Sequence, residues 1–261
     1  MSLSSMLPEG VSVFTLLALM AVAFVASVSR GFSGFGSALI FMPLASTVAP
    51  PRLVAALLLV IDLICAAPLA PNAWKLANRK SVAFVAFGAL LTVPIGTYAL
   101  TQLNPVTTRW IIITFVTLLL ALLISGWRYH GKGHPALSVG VGGLAGFCSG
   151  LAQTGGPPIV AYWLGRPIAG ALARANIVLY FAMTDVISFG TYAVAGILSW
   201  DVVKLSLLVG PVYALGLFIG TRLFGVASET LFRRVCYSLI ALAALISLPV
   251  LDSLLVGSRS A

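Results

Sequence analysis

Apolar residues fill this chain in long blocks, approximately 11–29, 37–48, 53–70, 81–100 and 107–127, followed by 137–149, 157–164, 175–196, 202–224 and 231–255. Three blocks in each half are about 18 to 25 residues long, enough for an α-helix to cross a hydrocarbon core about 30 Å thick. The blocks 37–48 and 157–164 would reach only about 18 and 12 Å at the helical rise. Each follows a glycine-rich interruption, Gly31-Phe-Ser-Gly-Phe-Gly36 in one case and Gly150-Leu-Ala-Gln-Thr-Gly-Gly-Pro-Pro158 in the other. Irregular backbone at membrane depth is tolerated only where protein buries it or where it lines a cavity. A break in corresponding places of two halves therefore predicts two hairpin tips meeting at a transport site.

Composition agrees with a chain lying almost wholly in lipid. Of 261 residues 60% are apolar and 8% charged, at a mean hydropathy of +1.10, whereas about a quarter of a soluble domain is charged. The net charge of +9 comes from 15 basic against 6 acidic residues. The basic residues stand singly between apolar blocks, which is a topology signal and not a nucleic-acid patch. The bilayer is thus the expected partner, with no nucleic acid. Cys65, Cys148 and Cys236 fall inside apolar blocks without metal-ligand spacing and read as free buried thiols. No Lys or Arg precedes the first apolar block, so the basic region of a secretory signal is missing and the N-terminus is expected to be retained.

The second half repeats landmarks of the first in order and at nearly constant offset. Gly36 matches Gly155, Arg52 matches Arg174, Asp62 matches Asp185, Ile95-Gly96-Thr97 matches Ile219-Gly220-Thr221, and Arg109 matches Arg233. The expected fold is an all-α polytopic membrane protein of two repeats, 1–130 and 131–261, each a glycine-broken or re-entrant hairpin plus three transmembrane helices, with eight to ten membrane segments in all. Three crossings per half is an odd number, which makes the halves inverted. If the loop of Lys75, Arg79 and Lys80 is cytoplasmic, inversion adds Arg128, Lys132, Arg166, Arg174, Arg222, Arg233 and Arg234 to that side. It leaves chiefly Arg52, Arg109, Lys204 and Arg259 outside, as the positive-inside rule expects of a plasma (inner) membrane protein with both termini outside. Block 11–29 is long enough to span alone, which would reverse the first assignment.

The glycine breaks also carry a resemblance. Gly34-Phe-Gly-Ser-Ala-Leu-Ile-Phe-Met-Pro43, and Thr154-Gly-Gly-Pro-Pro-Ile159 followed by Tyr162, are similar to the paired motifs of the TauE/SafE sulfite exporter family, also called the toluene sulfonate uptake permease group. The resemblance extends over essentially the whole chain, with Ser37 and Ala38 standing where the family commonly keeps glycine. It implies a transporter, not an enzyme, moving sulfite, a sulfonate or a related small organosulfur anion without a cofactor.

An anion at mid-membrane needs donors that bring no buried charge of their own. Backbone N–H groups at a helix start supply them, along a dipole worth about half a positive charge, and glycine lets that backbone approach closely. The candidate anion site is accordingly Ser33, Gly34, Gly36 and Ser37 from the first tip with Gln153, Thr154, Gly155 and Gly156 from the second. Arg30 either grips the anion through its planar guanidinium or snorkels to the surface. Arg52 and Arg174 read as interfacial anchors, and Asn176 is a further site candidate. Asp62 and Asp185 lie about 15 Å into their helices by the helical rise, near the midplane. Carboxylates there face a water path, pair with a cation or relay protons. At least one is read as a protonatable coupling site, the alternative being a structural hydrogen bond. Tyr162, Trp163 and Tyr180 either line the path or pack the core. No phosphate-binding loop occurs, so the driving force is an ion or substrate gradient. A passive anion channel would use the same site without carboxylates. A membrane enzyme would need a catalytic constellation, and none is present.

Overall fold

The computed structural model describes residues 11–33, 35–131, 133–223 and 229–251. Gly34, Lys132 and Arg259 lie outside the described residues, as do the side chains of Ser33 and Arg233. The first half contains α1 (Val13–Ser33), α2 (Ser37–Ala45), α3 (Pro51–Ala66), α4 (Ala70–Leu76), α5 (Arg79–Gln102) and α6 (Pro105–Ile124). The second contains α7 (Pro135–Ala152), α8 (Gly156–Leu164), α9 (Gly170–Val194), α10 (Trp200–Leu223) and α11 (Glu229–Ile246). No strand occurs among the described residues.

Local chemistry sets the helix starts. The Asn78 and Asn104 side chains cap α5 and α6 by accepting from the N–H groups of Ser81 and Thr107, at 3.1 and 2.8 Å. Proline occupies the first turn of α3, α6 and α7, where its missing N–H costs nothing. The expected block 53–70 is longer in the structure, because a 3₁₀ turn at Ala67–Leu69 passes α3 into α4 without ending the rod. Pro51–Leu76 is then a span of 26 residues. With it, six other segments are long and apolar enough to cross a membrane: Val13–Phe32, Arg79–Gln102, Pro105–Ile124, Pro135–Ala152, Gly170–Val194 and Trp200–Leu223. Arg234–Ile246 is a shorter apolar helix. Large apolar side chains such as Phe14, Leu118 and Leu207 face outward, and Trp74, Trp110, Trp127 and Trp200 are exposed at helix ends, as lipid and its interfaces require. The protein is a multi-pass helical membrane protein.

Both halves follow one sequence of lengths: a long helix, a glycine break, a helix of 9 residues, then three longer elements. The first helix of each half packs on the third long element of the other, α1 on α10 and α7 on α5. Glycine makes this possible. A Cβ on Gly31 would collide with backbone at Leu217 and Thr221, and one on Gly150 with backbone at Val93 and Thr97. Gly96 and Gly220, the centres of the repeated Ile-Gly-Thr landmark, meet backbone of α7 and α1 in the same way. Close approach is thus the physical content of that landmark. Phe24, Val28 and Gly31 meet Gly216 and Gly220 in ascending order, as Val85, Ala89 and Val93 meet Gly142, Gly146 and Gly150. Both pairs therefore run parallel.

The short helices fold back. Ser138 Oγ, in the first turn of α7, lies 2.7 Å from Tyr162 Oη near the end of α8. The α7–α8 segment thus returns toward the side it entered, and α2 likewise packs on α1. The central helices α3 and α9 touch each other between the two hairpins.

Candidate functional site

The hairpin tips and the midpoints of α3 and α9 enclose a cavity of about 30 Å³, where one water needs about 10–15 Å³. Of the residues singled out in the sequence, Arg30, Gly36, Ser37, Asp62, Gln153, Thr154, Gly156 and Asp185 line it. Gly155 does not. It packs onto Ala145 and Ser149 of its own hairpin, where a Cβ would clash. Asn176 is not brought to the cavity either. It is buried in the first turns of α9, and its side-chain oxygen accepts the N–H of Asn78 at 2.8 Å, joining the α4–α5 turn to α9. That contact spans 98 positions, which spacing along the chain does not reveal.

Arg30 is held inward. Its Nη1 forms an ion pair with Asp62 Oδ2 and also reaches Ser37 Oγ at 3.4 Å. The side chains of Arg30 and Asp62 are 18% and 11% exposed, so Arg30 does not snorkel. Tyr213 Oη on α10 donates to the other Asp62 oxygen at 2.5 Å. Asp62 therefore has both a cation and a neutral donor. Asp185, its counterpart, is equally buried and has no hydrogen-bond or ion-pair partner among the described residues. The reason lies in the repeat. Ser149 precedes Gly150 where Arg30 precedes Gly31, and Ala89 lies one turn before Val93 where Tyr213 lies one turn before Leu217. The first carboxylate keeps partners that the second lacks.

The tips differ as well. Gly36 caps α2 in the left-handed region, at φ 94°. At the other tip a non-glycine residue, Gln153, takes φ 56°, a conformation that costs roughly 1–3 kcal/mol and clusters at functional sites. Its Nε2 lies 3.3 Å from Tyr192 Oη, which donates to Gly150 O at 2.8 Å. The Thr154 hydroxyl donates to Cys148 O at 3.4 Å. In this conformation the second tip spends donors on its own turn. Sequence reasoning did not find Tyr213, Ser149, Phe35 or Phe181. Tyr162, Trp163 and Tyr180 are core residues in a packed aromatic column from Tyr129 to Phe181, of which only Phe181 reaches the cavity.

Broken helices meeting over an inward-turned, half-buried cation and two buried carboxylates, in a chain of this many apolar spans, define a membrane transporter. The chain belongs to the TauE/SafE sulfite exporter family, whose model matches residues 19–246, taking in both glycine breaks and both carboxylates. It is 26% identical over 254 residues to the probable sulfite/organosulfonate exporter TauE of Cupriavidus necator, covering 91% of this chain and 96% of that protein. No solved structure matches the chain. The family is one of transporters, not enzymes.

Proposed function

We propose that this protein is a secondary transporter of a small organosulfur anion, sulfite or a sulfonate, across the plasma (inner) membrane. Two inverted repeats, 1–130 and 131–261, alternate access to the cavity between the hairpin tips. The observation that carries the reading is Arg30, a guanidinium turned into a cavity at the start of α2 and α8. Helix N-termini attract anions without adding a buried charge, and a guanidinium matches the flat edge of a sulfur oxyanion. The family and the Cupriavidus relative support the substrate class. Two parallel helix pairs, each formed between the halves, support the inversion, as does the grouping of basic residues. Proton coupling through Asp62 or Asp185 belongs to the same reading.

Proteoliposomes loaded with purified protein test it. Labelled sulfite and a short sulfonate are expected to move faster than sulfate or a carboxylate, and faster still under a pH gradient. Arg30→Gln is expected to abolish the flux. Failure of every sulfur oxyanion to move would sink the substrate class.

A further inference from the structure

We infer that Asp62 is an internal occupant of the anion seat: its carboxylate holds the guanidinium nitrogen that a substrate needs, and substrate takes the seat as Asp62 leaves it and picks up a proton. The inference rests on the anion-transporter reading and adds a way for proton and anion to be tied together.

Three observations carry it. Among the described residues Arg30 is the sole basic side chain lining the cavity. An incoming oxyanion has no alternative cation, and Arg30 Nη1 is already on Asp62. A carboxylate and a sulfur oxyanion use the same face of a guanidinium, so the two compete. Next, Tyr213 holds the second Asp62 oxygen from α10. The carboxyl group released from Arg30 stays tethered beside the seat, able to return when the anion leaves. Finally, the second half has no such pair. Ser149 stands in the place of Arg30, and Asp185 lines the cavity without an ion-pair contact among the described residues. The exchange therefore belongs to Asp62, the carboxylate in direct contact with Arg30.

The ionisable groups around Asp62 are Arg30 on α1, Tyr213 on α10, Asp185 on α9 and Cys65 on its own helix, while α2 contributes only the Ser37 hydroxyl. Among the described residues none of these but Arg30 is a cation. A buried carboxylate that loses its cation does not stay bare. One proton enters from the aqueous side facing the cavity and forms the Asp62 carboxylic acid as the oxyanion pairs with Arg30. On release of the anion the proton departs and the internal pair closes again. The balance is one proton for each anion seated. Because the seat is free only for a fraction of the time, apparent affinity is weakened by that fraction.

The test is sulfite binding to the full-length protein by calorimetry at fixed pH, in two buffers of different ionisation enthalpy, which counts protons taken up. Asp62→Asn keeps the shape and the contact with Tyr213 but frees Arg30. It is expected to bind sulfite at least about tenfold more tightly, as for a seat free no more than about a tenth of the time, with one proton fewer taken up than in the unsubstituted protein. The difference cancels protons exchanged by sulfite itself. Equal or weaker affinity with an unchanged proton count would overturn the inference. Should Asp62→Asn fail to fold, Tyr213→Phe decides. Loosening the tether is expected to tighten sulfite binding roughly threefold to tenfold, the worth of one hydrogen bond, with proton uptake kept. Unchanged or weaker binding would overturn the inference, since a merely structural tyrosine gives no gain. If neither sulfite nor methanesulfonate binds the unsubstituted protein, the anion-transporter reading falls first and takes this inference with it.

Discussion

Gly36 and Gly150 are glycine for different reasons, and substitution separates them. At Gly36 the backbone is left-handed and a Cβ would meet nothing within 4 Å, so Gly36→Ala costs backbone strain alone, about 1–2 kcal/mol. At Gly150 a Cβ would run into backbone of α5. Relieving that overlap means parting two helices, at a cost of about 1–3 kcal/mol or more. Thermal unfolding in detergent is expected to show the larger fall for Gly150→Ala, with anion affinity the more sensitive readout for Gly36→Ala because that turn lines the cavity. Buried hydroxyls divide in the same way. Ser188 Oγ is fully buried with no hydrogen-bond partner among the described residues, so Ser188→Ala is expected to be neutral or slightly stabilising in the same assay, since no bond is lost and a desolvated polar group is removed.

The two short helices do not offer an anion the same thing. First-turn N–H groups have no partner within a helix, and α2 presents those of Ser37 and Ala38 at the cavity. In α8 the residues after Gly156 are Pro157 and Pro158, which pre-form the turn but have no N–H to give. The α8 end thus contributes mainly its dipole. Ser37→Ala is expected to weaken sulfite binding by about 1 kcal/mol, near fivefold, from one lost hydroxyl contact. Asn176→Ala tests the other side of the assignment. Leaving the Asn78 N–H unsatisfied should cost about 1–3 kcal/mol in unfolding while sulfite affinity stays unchanged. The element lengths and breaks were legible in the sequence because lipid allows few polar interruptions, so hydropathy marks each helix. The Asp62 neighbourhood was only half legible. Arg30 and Asp62 stand out as charges in apolar blocks, but Tyr213 is a tyrosine within an apolar helix, and its bond to Asp62 spans 151 positions. Nothing local separates it from Tyr180, which packs in the core.

Taken over the whole molecule, two parallel pairs constrain how the chain threads the membrane. The α7–α8 hairpin returns to the side where it began, so α9 starts on that side and α10 starts on the opposite one. Since α1 runs parallel to α10, it also enters from that opposite side and α2 brings the chain back to it. The crossings α3, α5 and α6 would then place the start of α7 across the membrane from the start of α1, as the proposed inversion requires. In that proposed threading the loop of Lys75, Arg79 and Lys80 falls with Arg166, Arg174 and Arg222 on one face, and the first turns of α3 and α10, with Arg52 and Lys204, fall on the other. Arg166 reaches Ser81 Oγ at 3.2 Å, a contact between the halves that only a shared face permits. Single cysteines in a background free of Cys65, Cys148 and Cys236 check the arrangement with a membrane-impermeant thiol reagent. Lys80→Cys and Arg222→Cys are expected to react from the cytoplasmic face, whereas Arg52→Cys and Lys204→Cys are expected to react from outside. Labelling of Lys80→Cys and Arg222→Cys from opposite faces would require parallel halves, and the positive-inside rule would then be broken along with the repeat.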